Sequence, residues 1–146
     1  YEATKELAED VGSGETEYSR YDRAVANAAS EWLQHDASNE RPWAAFVSFV
    51  TPHYPLRAPE PFMQHYAGVS VSPPIGGYRQ DRRPSHPELA NIATYFNYDS
   101  HFTPKRAAEA RAAYFALVSF MDDCVGQVLT ALEASGQAQN TYILYV

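Results

Sequence analysis

The sequence is short of the features that most often announce a function. It holds a single cysteine, Cys124, so neither a disulfide framework nor a thiolate metal cluster is available and the compartment cannot be read from cysteine usage. Basic residues are outnumbered, 11 against 18 acidic for a formal net charge of -7. With no basic stripe to meet phosphates, no nucleic-acid partner is expected; a charge of this size serves mainly solubility. No apolar run approaches the roughly 20 residues that span a bilayer, so no membrane partner is expected either. Internal repeats, low-complexity tracts, a G-x-S-x-G elbow, a phosphate-binding loop and a dinucleotide fingerprint are all missing.

What is present is ordinary globular material. The chain has 146 residues, 45% of them hydrophobic and 20% charged, enough for one domain with a real core. Its centre of gravity is P-W-A-A-F-V-S-F-V-T-P-H-Y-P-L-R-A-P, Pro42 to Pro59. From Trp43 to Val50 only one side chain carries a hydroxyl, and prolines bracket the run, so it reads as a strand buried on both faces. His53 stands just past that strand's end. In open parallel sheets ligands sit beyond the carboxyl ends of strands, which puts His53 at the functional rim. Pro52 and Pro55 fix φ around His53-Tyr54 and predict a pre-shaped loop.

In chain order, residues 1–17 read as a flexible polar segment, with a marginal helix over Ala3–Glu9 and V-G-S-G-E-T as a link. Residues 18–146 read as the folded part. Tyr21, Ala24, Val25, Ala28, Ala29, Trp32 and Leu33 recur at helical spacing behind Ser19 and Asp22, an acidic variant of a capping box. Pro59–Tyr66 predicts a short helix ended by Gly68, and Pro87–Phe96 another, separated by a long irregular excursion. Thr103 and Pro104 open the clearest helix, whose stripe runs from Tyr114 through Leu117, Met121 and Val128 to Leu132 and which Gly136 ends. Thr141–Val146 is β-branched and aromatic, a second buried strand. Strand, helical crossover, strand gives an α/β class with a partial parallel sheet flanked by helices.

Two blocks carry a resemblance. F-V-S-F-V-T-P-H-Y-P-L-R-A-P, then R-A-A-Y-F-A-L-V-S-F-M-D-D-C-V-G-Q-V-L-T-A-L-E-A-S-G leading into T-Y-I-L-Y-V, resemble the middle of a type I sulfatase of the alkaline phosphatase superfamily, in that family's order and spacing. Choline sulfatases, arylsulfatases and phosphonate monoester hydrolases share the pattern. The family's C-x-P-x-R or S-x-P-x-R segment, its Asp pair near the N-terminus and its Asp-His-Gly or Asp-Asn-Gly pair are absent here. The resemblance therefore implies an internal piece of a longer enzyme, inactive by itself. That enzyme would cleave a small-molecule sulfate ester with a formylglycine nucleophile and a divalent cation, usually calcium. Of that machinery only His53, matching the histidine of P-H-x-P, falls in this chain, as a sulfate-contacting residue. The rivals are a phosphonate or phosphate monoester hydrolase of the same superfamily and a non-catalytic binding module on the same scaffold.

The remaining candidates have plainer readings. Tyr54 borders the substrate or is a packed loop aromatic. Asp122 and Asp123 diverge by about 100° on a helix and cannot share an ion; Asp122 matches a structural position of the family. His35, His65, His86 and His101 with Asp99 match no zinc spacing, so no metal ligand is assigned in this chain. Arg79, Arg82 and Arg83 read as a solvated loop rather than an anion trap. Cys124 lacks the C-x-P-x-R context and reads as a small helix residue. A strand at Val146 would leave a sheet edge through which copies associate.

Overall fold

The computed structural model describes residues 2–37, 40–73, 85–97 and 100–146. Its elements run α1 (Glu2–Glu9), β1 (Val11–Ser13), α2 (Glu17–His35), β2 (Leu56–Ala58), α3 (Glu60–Gln64), α4 (Pro87–Phe96), α5 (Pro104–Ala134) and a 3₁₀ turn over Ala138–Asn140. The class is α/β with a parallel sheet, as expected, but the sheet is a different one. Its two strands are β1 and β2, with Val11 opposite Leu56 and Ser13 opposite Ala58. Val11-Gly12-Ser13 thus lies in a ladder where the sequence reading put a flexible link.

Neither expected strand forms. Residues 42–50 carry no regular structure and none of Trp43–Val50 is buried; Phe46 is 87% exposed. Thr141–Val146 is likewise irregular, with Leu144 88% exposed. Apolar, β-branched sequence marks a segment suited to a sheet, yet a strand exists only where a neighbour supplies the ladder hydrogen bonds. Among the described residues no segment supplies them to either run.

The helices follow their local signals. Thr103, in extended geometry, accepts the Arg106 N–H, Pro104 takes the first turn, and Gly136 at φ 74° follows the end of α5. α4 keeps the expected bounds and begins on Pro87. α2 is capped by Thr16, not by Ser19: the Thr16 side chain takes the Ser19 N–H while Ser19 Oγ takes the Thr16 N–H, a reciprocal box one turn earlier than expected. Its buried face is also rotated. Ser19, Asp22, Ala26, Ser30 and Leu33 point inward, whereas Tyr21 and Ala28 of the apolar stripe are exposed.

α5 is the spine. It packs on α2, β2, α3 and β1. Ala113, Ala116 and Leu117 meet Leu56 and Ala58; Phe120 and Cys124 meet Ala26; Ala131 and Leu132 meet Leu33. By length and composition this 31-residue helix could cross a membrane, a property the sequence reading missed because Asp122 and Asp123 interrupt its apolar runs. In this chain its inner face is the core. At the far end Trp43 Nε1 donates to Gln137 Oε1, Gln137 Nε2 donates to the Ala37 carbonyl, and Trp43 meets Trp32 edge-on at 5.3 Å between ring centroids.

Candidate active site

The loop that carries His53 is held at both ends. Downstream, Leu56, Arg57 and Ala58 form β2, and Arg57 closes over β1: its Nη1 reaches Asp10 Oδ1 at 3.0 Å and its Nη2 the Ser13 carbonyl at 2.8 Å. Gly14, at φ 141°, leaves the space in which that guanidinium lies. Glu60, just beyond β2, accepts the Ser13 hydroxyl and Gln64 Nε2, which hold its carboxyl below the ordinary value.

Upstream, the anchor is a carboxylate that the sequence reading treated as a helix cap. Asp22 is 0% exposed on the inner face of α2. Its Oδ1 accepts the Val50 N–H at 2.8 Å; its Oδ2 accepts the Thr51 N–H at 2.9 Å and the Thr51 hydroxyl at 2.6 Å. The loop's entry is therefore hydrogen-bonded to a helix rather than to a neighbouring strand. The available sequence signal was an acid on a face of small residues, Ser19, Asp22, Ala26 and Ser30, at spacings of three and four.

Between these anchors His53 is exposed and Tyr54 half-buried, with cis bonds at Thr51-Pro52 and Tyr54-Pro55. The His53 backbone N–H donates to the Val50 carbonyl at 3.1 Å, and its Nδ1 lies 2.9 Å from the Tyr54 carbonyl. A carbonyl can only accept, so Nδ1 carries the proton in that bond. Nε2 then accepts in the neutral ring and donates in the imidazolium. Tyr18, from the first turn of α2, meets the imidazole edge-on at 5.9 Å between centroids. Tyr54 packs against the core cluster around Leu56.

Among the described residues, the other candidates do not gather here. Asp122 and Asp123 are exposed on α5. Arg79, Arg82, Arg83 and Asp99 lie outside the described residues. Among the described residues no three or more His, Cys, Asp or Glu converge to hold an ion. Cys124 is buried beneath α2, and burial, reinforced by the nearby Asp22 and Asp123 charges, pushes its thiol up to about 11. It is an inert core residue, not a nucleophile.

Comparison with known proteins settles the family. The sulfatase family model matches residues 3–146. The chain belongs to the sulfatase family. It is 30% identical to a choline-sulfatase of Rhizobium meliloti over 95% of this chain and 29% of that protein. Against an arylsulfatase of Clostridium perfringens it is 26% identical over 84% of the chain and 24% of that protein. A protein of Trinickia caryophylli named as a multifunctional member of the alkaline phosphatase superfamily is 25% identical over 72% of the chain. The chain spans less than a third of the length of these relatives. Within P-H-Y-P, His53 is the exposed residue, between an entry held by Asp22 and an exit held in β2.

Proposed function

We propose that the protein carrying this chain hydrolyses a sulfate ester, and that His53 contacts the sulfuryl group. Water enters, the bond between sulfur and the ester oxygen breaks, and an alcohol and sulfate leave. The observation that carries the reading is the state of His53: exposed, on a loop tied at both ends, with Nδ1 spent on the Tyr54 carbonyl so that Nε2 is the atom offered to a ligand. Protonated, Nε2 donates to a sulfuryl oxygen, and a donor already in place as charge develops there lowers the barrier without reorganising. Tyr18, against the ring, and the Tyr54 carbonyl, on Nδ1, restrict its orientation.

The family's formylglycine and divalent cation belong to this reading as the nucleophile and the charge-neutralising group; this chain contributes the histidine and its mounting. The substrate is a small sulfate ester, in keeping with the names of the choline-sulfatase and arylsulfatase relatives. The multifunctional relative keeps a phosphonate or phosphate monoester hydrolase as the second reading.

The test is turnover of an aryl sulfate by the protein at its full natural length, with calcium present. His53→Ala should lower kcat/KM about 100-fold or more, the scale of losing one preorganised donor. Parental turnover by His53→Ala would remove His53 from the machinery.

A further inference from the structure

We infer that Asp22 is the positioning residue of His53, a role that rests on reading His53 as the sulfuryl contact. Three donors from Val50 and Thr51 converge on this one buried carboxylate, all within three residues of the imidazole. Two are backbone N–H groups, so they fix the course of the main chain and not merely a rotamer. The Val50 carbonyl, on the residue whose N–H Asp22 holds, is in turn the acceptor for the His53 N–H. The chain of contacts thus runs from α2 through Val50 to His53 without a gap.

The alternative is that Asp22 is a core group with no bearing on the loop. Its surroundings argue against that. Its neighbours on that face are Ser19, Ala26 and Ser30, small residues that leave the segment before the loop close to the helix. An apolar side chain would fill the space equally well, whereas a buried carboxylate is costly unless its hydrogen bonds are made. None of the ion pairs among the described residues involves Asp22; the donors it satisfies are the loop's own. Val50 ends the run that lacks ladder partners and Thr51 follows it, so the carboxylate stands where a neighbouring strand would otherwise hold the backbone. Tyr18 extends the same logic: one turn before Asp22 on α2, it places its ring against His53. The helix therefore holds the loop from beneath and its imidazole from the side.

The experiment is a kinetic double-mutant cycle on the protein at its full natural length, with an aryl sulfate as substrate. Asp22→Asn keeps the shape but turns an acceptor into a donor facing donors. It should lower kcat/KM by about 10- to 100-fold, the scale on which an ångström of misplacement acts, with helical circular dichroism retained. In a His53→Ala background the same change should cost less than about threefold, because a positioning residue has nothing left to position. Thr51→Val deletes only the hydroxyl bond and should lower kcat/KM several-fold, and Thr51→Ser should restore it; this pair decides the matter if Asp22→Asn does not fold. Equal losses from Asp22→Asn in both backgrounds would overturn the inference. So would parental turnover by Asp22→Asn and Thr51→Val beside a crippled His53→Ala, which leaves the His53 reading standing. Parental turnover by His53→Ala alone overturns that reading and the inference with it.

Discussion

Two pairs of segments in this chain invert the usual relation between sequence and sheet. Val11-Gly12-Ser13 and Leu56-Arg57-Ala58 are poor strand formers, and they make the sheet. Trp43–Val50 and Thr141–Val146 are rich in β-branched and aromatic residues, and they make none. What separates them is partnership. β1 and β2 lie against α5, their ladder is extended by the Gly14 N–H to the Ala58 carbonyl at 2.9 Å, and Arg57 bolts the pair from one side. The apolar runs have side chains suited to burial and, among the described residues, nothing alongside. Strand propensity is fitness for a half-buried pleated surface, and without that surface it has nothing to act on.

The sharpest way to test the contrast is to compare equal side chains on its two sides. Phe120 is fully buried where α5 meets α2, and Phe46 is 87% exposed in the unpaired run. Phe120→Ala should cost about 3–5 kcal/mol, and Phe46→Ala within about 0.5 kcal/mol, by urea titration followed with circular dichroism. Comparable losses would mean that Phe46 is packed after all. Next in size is the clasp itself. Gly14→Ala places a methyl 2.6 Å from Arg57 Nη2 at φ 141°, and should cost about 1–3 kcal/mol by the same measurement. A neutral result would show that Arg57 is dispensable to the strand pair.

The smallest effect concerns Cys124. Its folded value, pushed up to about 11 from an ordinary 9.0, favours the neutral thiol in the native state. The associated stability is fully present below pH 9 and is lost as the pH rises toward about 11. At pH 8 alkylation by iodoacetamide should accordingly be far slower than for a free thiol, and urea should release it. Rapid native-state labelling would contradict the packing of α5 on α2.

How much could be read in advance follows the same division. Helix ends are written locally: Thr103 with Pro104, Pro87, and Gly136 each act within a turn, and α4 and α5 stand where those residues put them. The position of His53 outside regular structure, fenced by prolines, was equally local. Pairing is not local, and the strand assignments failed there. The inner face of α2 failed for another reason. A hydrophobic pattern weighs Tyr21 and Val25 above Ser19 and Asp22, yet the polar residues are the buried ones, because hydrogen bonds to Thr16, Val50 and Thr51 satisfy them. Asp22 was visible only as an acid on a helix; its meaning lay 28 residues away.

The chain has two tryptophans, and Trp32 and Trp43 share the single corner where the end of α2 meets Gln137. Tryptophan emission, excited selectively, therefore watches that corner alone. A quencher or a shift in wavelength would register the indole leaving its amide acceptor while the imidazole loop, at the opposite end of the same run, stayed dark to the instrument. An indole introduced in place of Tyr18 would give the loop a signal of its own.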